Sequence, residues 1–154
     1  MPSFCNHILR ALKNYELLKN LLYMENNFNK VKNYLLELDC NISYEDEEDG
    51  VLVISKEEDG ISNLVIGCAD PLLIMEQFIF ELKKPNLEVF KELLIKNRDI
   101  VHGAFVLDES GTKVIFRDTL QIENLDLNEL EGSINSLSLL LSEYSDEILK
   151  LSKN

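Results

Sequence analysis

The sequence predicts an α+β domain, an antiparallel sheet with helices packed on it. Two observations carry that prediction. Apolar residues recur at helical spacing over 27–38, 86–98 and 126–151, whereas 51–54, 63–66, 103–107 and 113–116 are short β-rich runs. Turn residues separate these runs in pairs, so hairpins lie between helices, the pattern of helices laid on an antiparallel sheet. With 154 residues the chain is long enough for one domain with one core. Residues 24–154 are read as that domain and residues 1–23 as an N-terminal extension.

The first 23 residues stand apart. They carry Arg10, Lys13 and Lys19 against Glu16, a net of +2; the whole chain is −13, so residues 24–154 carry −15. Phe4, Ile8, Leu12, Tyr15, Leu18 and Leu22 recur at helical spacing, without the continuous apolar stretch of a signal peptide. Either Met24 is the biological start and this segment is an upstream extension, or the segment is an extra N-terminal helix. Over 27–38, Phe28, Val31, Leu35 and Leu38 share one helical face. Ile42-Ser43-Tyr44 fits a short leading strand. The runs 51–54 and 63–66 follow, each after an Asp-Gly pair (Asp49-Gly50, Asp59-Gly60) that offers the left-handed backbone of a type I′ hairpin turn.

Residues 72–82 fit two structures. Asp70-Pro71 could cap a helix, whereas Phe78-Ile79-Phe80 favours a strand. Residues 86–98 form a helix with Leu87, Phe90, Leu93 and Leu94 on one face. Strands at 103–107 and 113–116 are joined by a tight turn at 108–111. The last helix opens at Asp126 with Glu129 three residues on, as in a capping box. Leu127, Leu130, Ile134, Leu137, Leu141, Tyr144, Ile148 and Leu151 then alternate spacings of three and four. That stripe fits a coiled-coil seam or one long helix on its own sheet; Leu139, Leu140 and Leu149 widen it and favour the second.

Composition excludes several function classes. A pI near 4.5 opposes binding to nucleic acid or to anionic membranes, both of which need clustered Lys and Arg. No apolar run approaches the ~18 residues of a membrane span. Three cysteines, Cys5, Cys40 and Cys68, form no C-x-x-C pair, which fits reduced thiols in a cytoplasmic protein. With only His7 and His102, no zinc cluster of Cys/His type assembles locally, and no metal or cofactor is expected.

The stretches Asn97-Arg98-Asp99-Ile100-Val101-His102-Gly103-Ala104-Phe105-Val106-Leu107-Asp108 and 114–130 (VIFRDTLQIENLDLNEL) resemble bacterial YbjN-domain proteins. These are related to the type III secretion chaperone fold and are often labelled Tir-chaperone-like. The resemblance covers roughly residues 27–152. It implies the order α-β-β-β-α-β-β-α and favours a strand over 72–82. Residues 1–23 have no counterpart in it. Members of the secretion-chaperone type are small acidic homodimers that bind an extended segment of a client without ATP. The YbjN branch is described as sensory or regulatory. The resemblance brings no catalytic motif.

Few residues invite chemistry. Aligned on Gly50, the acidic run places Glu45, Glu47 and Asp49 at calcium-loop positions, but Lys56 stands where a bidentate Glu belongs and the flanks read as strands. A solvated hairpin turn is the better reading. Nucleophilic catalysis needs an activated Cys or Ser, and no glycine-rich elbow or phosphate loop accompanies Cys40 or Cys68. Cys68 reads as a small buried hydrophobe. His102, before Gly103, reads as a group bonded to local backbone. Only three of the fifteen basic residues are Arg, so Arg98 and Arg117 mark sites that need a planar fork: an ion pair with Asp99, Asp118 or Glu123 holding helix to hairpin, or recognition of a carboxylate.

The expectation is a non-enzymatic protein-binding module, chaperone-like or regulatory, that captures an extended or apolar segment of a partner protein. Residues 72–82 are apolar at nearly every position, and a strand apolar on both faces needs cover on both sides. Three helices can cover one face; a second subunit, a client or nothing covers the other. A homodimer is therefore expected, with Met75, Phe78 and Phe80 as candidate partner-binding residues. The alternative is a regulatory domain that binds a small anionic ligand through Arg98, His102 and Arg117.

Overall fold

A computed structural model describes residues 2–153, and the side chains within 13–23 and 26–153. The Phe4, Ile8 and Leu12 part of the expected N-terminal stripe, and Met24 as a start, lie outside the described side chains. The elements run α1 (Pro2–Glu37), β1 (Asn41–Asp46), β2 (Val51–Lys56), β3 (Ile61–Ala69), β4 (Leu72–Glu81), α2 (Leu87–Lys96), β5 (Ala104–Leu107), β6 (Lys113–Gln121), α3 (Leu127–Glu143) and α4 (Ser145–Leu151). The strands form one six-stranded sheet in the order β1-β2-β3-β4-β6-β5, antiparallel throughout. The expected α+β class is what the chain adopts. Four strands precede α2, because the short leading strand forms as β1. The ambiguous stretch 72–82 is a strand: Ala69 pairs with Leu72, so Asp70-Pro71 is the turn between β3 and β4 and caps no helix.

Two local expectations need correction. The Asp-Gly turns are not type I′, which needs left-handed backbone at both central residues. Gly50 and Gly60 have φ of 67° and 72°, but Asp49 and Asp59 do not have positive φ. The Asp46–Val51 pair instead closes a four-residue loop, in which the Asp49 N–H donates to Asp46 Oδ1 at 3.0 Å. Before β3, a 3-10 turn over Glu57–Asp59 ends at Gly60, whose N–H donates to the Glu57 carbonyl. The second correction concerns the C-terminal stripe. It is neither a coiled-coil seam nor one unbroken helix. It bends at Tyr144 (φ −103°, ψ 9°), and Leu130, Ile134, Leu137, Leu140 and Leu151 are all buried within the domain.

All the buried strand residues lie on one face of the sheet. They include Leu52 and Ile54 on β2, Leu64, Ile66 and Cys68 on β3, Leu73 and Met75 on β4, and Val114, Phe116 and Leu120 on β6. Phe28, Val31 and Leu35 of α1, Val89 and Leu93 of α2, and the α3–α4 stripe complete a single cluster against that face. Each such Leu, Ile or Phe contributes about 1.5–3 kcal/mol by leaving water. A bulge at Ile79 keeps the pattern in register. Gln77 faces Phe116 and Phe80 faces Val114, so the residue skipped between Phe78 and Phe80 returns Phe80 to the inner face.

Polar groups hold the helices in place. Asn86 Oδ1 accepts from the Glu88 and Val89 N–H groups and starts α2. This cap sets the helix phase so that Val89 and Leu93 are buried, whereas Leu87 and Leu94, expected on the same face, are exposed. At the far end of α2, the Asn97 side chain donates to the Phe105 carbonyl at 3.1 Å and accepts from the Phe105 N–H at 2.8 Å. Beneath α3, the buried Asp118 carboxylate accepts from the Ser133 hydroxyl and from the Thr119 N–H. The Lys30 ammonium of α1 donates to the Ile122 carbonyl at 2.8 Å, which ties α1 to the segment after β6.

Candidate functional site

Among the described residues no helix packs on the outer face of the sheet. Pairing registers place Tyr44, Val53, Val65, Glu76, Arg117 and Ala104 in one row across all six strands. The neighbouring row runs Asp46, Val51, Gly67, Ile74 and Thr119. On its other side Phe78 faces Ile115, which faces Val106. None of these side chains is buried. The face is therefore largely aliphatic, with the Glu76–Arg117 ion pair near its middle.

Gly67 leaves a gap in this surface. A Cβ built on it meets nothing within 4 Å, so the space between Val51 and Ile74 stays open for an incoming side chain. Sequence reasoning missed this residue. The available signal was a glycine inside an otherwise apolar strand run, which marks a point where another chain can approach closely. A second apolar surface lies beside α2 and the end strand β5. Leu87, Phe90, Leu94, Phe105 and Leu107 line a groove of about 460 Å³ there.

The expected partner residues separate. Phe78 is 56% exposed on the outer face, whereas Met75 (1%) and Phe80 (5%) lie in the core against the helices. The alternation of β4 and its bulge put Phe78 and Phe80 on opposite faces, so Phe78 alone of the three is open to a partner. Arg98, His102 and Arg117 also separate. Arg117 pairs with Glu76, its partner in register, so it joins β4 to β6 and not helix to hairpin. Arg98 is exposed and is not part of the cavity that holds His102. That cavity, about 230 Å³ against α3, carries the acids Asp99 and Glu143 and is unsuited to an anion. The His102 backbone N–H donates to Ser136 Oγ, and the Ser136 hydroxyl donates to the His102 carbonyl, so the residue is bonded through its backbone.

Both described thiols are buried. Burial raises the Cys40 pKa and pushes Cys68 up to about 11, so neither is a ready thiolate at neutral pH. The acidic run 46–50 joins two strands, not two helices. Among the described residues no helix is long and apolar enough to cross a membrane.

The family model CesT_Tir_1, of the type III secretion chaperones, matches residues 24–154. The chain belongs to this family. No curated protein matches the sequence. Among solved structures, the chain is similar to YbjN from E. coli, with a TM-score of 0.61 at 13% identity over 78% of this chain and 92% of that one. The HopA1–SchA chaperone–effector complex contains a chain similar at a TM-score of 0.55 and 12% identity, covering 85% of this chain and 98% of that one. An uncharacterized protein from Methanothermobacter thermautotrophicus is similar at a TM-score of 0.55 and 15% identity, over 82% and 99% of the two chains. At these identities the likeness is one of fold.

Proposed function

We propose that the protein is a non-enzymatic, chaperone-like module of the cytoplasm that captures an extended, apolar segment of a partner protein on the outer face of its sheet. The observation that carries this reading is the uncovered aliphatic surface around Gly67. A segment laid there covers Val51, Val53, Ile74 and Phe78 and places one of its own side chains in the open space over Gly67. Membership in a secretion-chaperone family supports a protein partner, and the HopA1–SchA chaperone–effector complex contains a chain of this fold. The net charge of −13 favours segments rich in Lys and Arg and speeds their encounter.

The same reading includes a homodimer of the domain 24–154. The groove supports it, because Leu87, Leu94 and Leu107 are exposed beside the half-buried Phe90, and apolar side chains so grouped mark an interaction surface. A closed two-fold pair is also the commonest oligomer.

The test uses a carboxymethylated, permanently unfolded polypeptide carrying a fluorescent label, followed by anisotropy. The wild type binds it. Gly67→Glu keeps the urea melt, since nothing crowds that Cβ, yet weakens binding by at least about tenfold. A wild type that leaves the anisotropy unchanged overturns the capture reading. Light scattering at micromolar concentration reads the dimer: two chains for the wild type, one for Leu94→Glu, with a single-chain mass for the wild type refuting it.

A further inference from the structure

Besides the groove beside α2, the outer face of the sheet and residues 13–23 of α1 are apolar surfaces that lack cover among the described residues. Tyr15, Leu17, Leu18, Leu21 and Leu22 are each more than half exposed, and no residue of 13–23 is buried. Tyr15, Leu18 and Leu22 follow one another at spacings of three and four, and Leu17 and Leu21 widen the stripe. Such a helix needs something to lie on. Its own outer sheet face is out of reach, because among the described residues α1 enters the core at Asn27 and Phe28, on the inner face. At a rise of 1.5 Å per residue, Leu18 stands about 15 Å further out along the axis than Phe28.

Charge indicates which surface it meets. Residues 1–23 carry +2 and the rest of the chain −15, so the segment is drawn to an acidic, apolar surface. A second copy of the same chain offers one at Asp46 and the acidic loop 47–49, at one border of its open sheet face, whereas Glu81 at another border stands opposite Lys113. We propose that the N-terminal arm of one copy docks on the outer sheet face of a second copy, its leucines over Val53, Val65, Ile74 and Phe78 and its lysines against the acidic border. The inference rests on the outer face being a docking surface, as proposed above. The arm then acts as a tethered stand-in for the client, and a client must displace it, which lowers the client's apparent affinity.

The experiment mixes equal amounts of unlabelled and heavy-nitrogen-labelled full chain and applies a zero-length carboxyl-to-amine cross-linker. Mixed-isotope peptides joining Lys13 or Lys19 to Asp46 or the acidic loop 47–49 are expected. Leu18→Glu with Leu22→Glu removes those peptides, leaves the urea melt unchanged and tightens binding of the unfolded polypeptide about threefold or more. Arm links confined to a single isotope, or joining only arm to arm, overturn the proposal. Polypeptide binding without mixed-isotope links refutes the arm and leaves capture standing. Mixed-isotope links in a protein that binds no polypeptide support the arm and refute capture.

Discussion

Replacing Gly103 with alanine tests how tightly the turn into β5 is held against the core. Gly103 has φ +78°, where an L-alanine costs about 1–2 kcal/mol. The new Cβ would stand 2.4 Å from Phe116 Cζ, 2.6 Å from its Cε2 and 3.0 Å from the Arg117 carbonyl oxygen. Phe116 is fully buried, so its ring cannot swing clear without opening the packing beneath it. Overpacking of this kind adds about 1–3 kcal/mol. The two contributions give a loss of about 2–5 kcal/mol, a large share of the ~5–15 kcal/mol that stabilises a typical domain. Urea denaturation followed by circular dichroism reads this directly, and a thermal melt should move down by at least about 4 °C. Gly132→Ala is the matched control. It sits inside α3, where its Cβ would only touch His102 Nε2 at 3.6 Å, so it should gain about 0.5–1 kcal/mol from helix propensity. A Gly103→Ala protein within about 0.5 kcal/mol of wild type would refute the reasoning, because the contact and the backbone strain would both have to be absent.

Four further outcomes are expected. Leu137→Ala should cost about 2–5 kcal/mol in urea, because the side chain is fully buried under α3; a loss below ~0.5 kcal/mol would mean the stripe faces water. Asn97→Ala leaves the Phe105 N–H and carbonyl without their partner and should cost about 1–3 kcal/mol, read by the same melts; no loss would mean water replaces both bonds. Burial keeps the Cys68 proton on the folded chain up to about pH 11, while the unfolded chain releases it in the ordinary thiol range, so stability is full below that range and falls as pH rises towards 11. Melts at about pH 8 and about pH 10.5 should show a larger loss for wild type than for Cys68→Ala, and equal losses would place the thiol in water. Deleting residues 1–23 should preserve a cooperative melt; a midpoint lowered by more than ~8 °C would show that the segment packs into the core.

How much of this could be read in advance depended on whether the information was local. Asp126 placed the start of α3, and the glycines at 50 and 60 placed turns though not their type, because caps and left-handed residues act within a few positions. Strand β4 could not be decided that way. Its inner residues Leu73 and Met75 are apolar for the core, its outer residues Leu72, Ile74 and Phe78 are apolar for another reason, and the bulge at Ile79 breaks the alternation. A period of two cannot show in such a run. The Arg117 partner was hidden for a related cause: Glu76 is 41 residues away, and only the β4–β6 register brings them opposite. The candidate surface was legible as an apolar excess, but which of Met75, Phe78 and Phe80 would be reachable depended on that same bulge. Gly67 mattered for what surrounds it, and emptiness has no signature in composition.

The two ends of the sheet are unequal. At β5 the Asn97 amide already occupies the pairing groups of Phe105, in the middle of a four-residue strand. At β1 no further strand follows among the described residues. Growth by adding sheet to sheet in a repeating head-to-tail sense needs two available edges per molecule, and this chain offers one. Two copies can join β1 to β1 about a two-fold axis, which uses up both edges and stops. A single amide at the end of one helix therefore limits the stoichiometry of edge pairing to two and keeps a protein with an open aliphatic face from polymerising along its own hydrogen bonds.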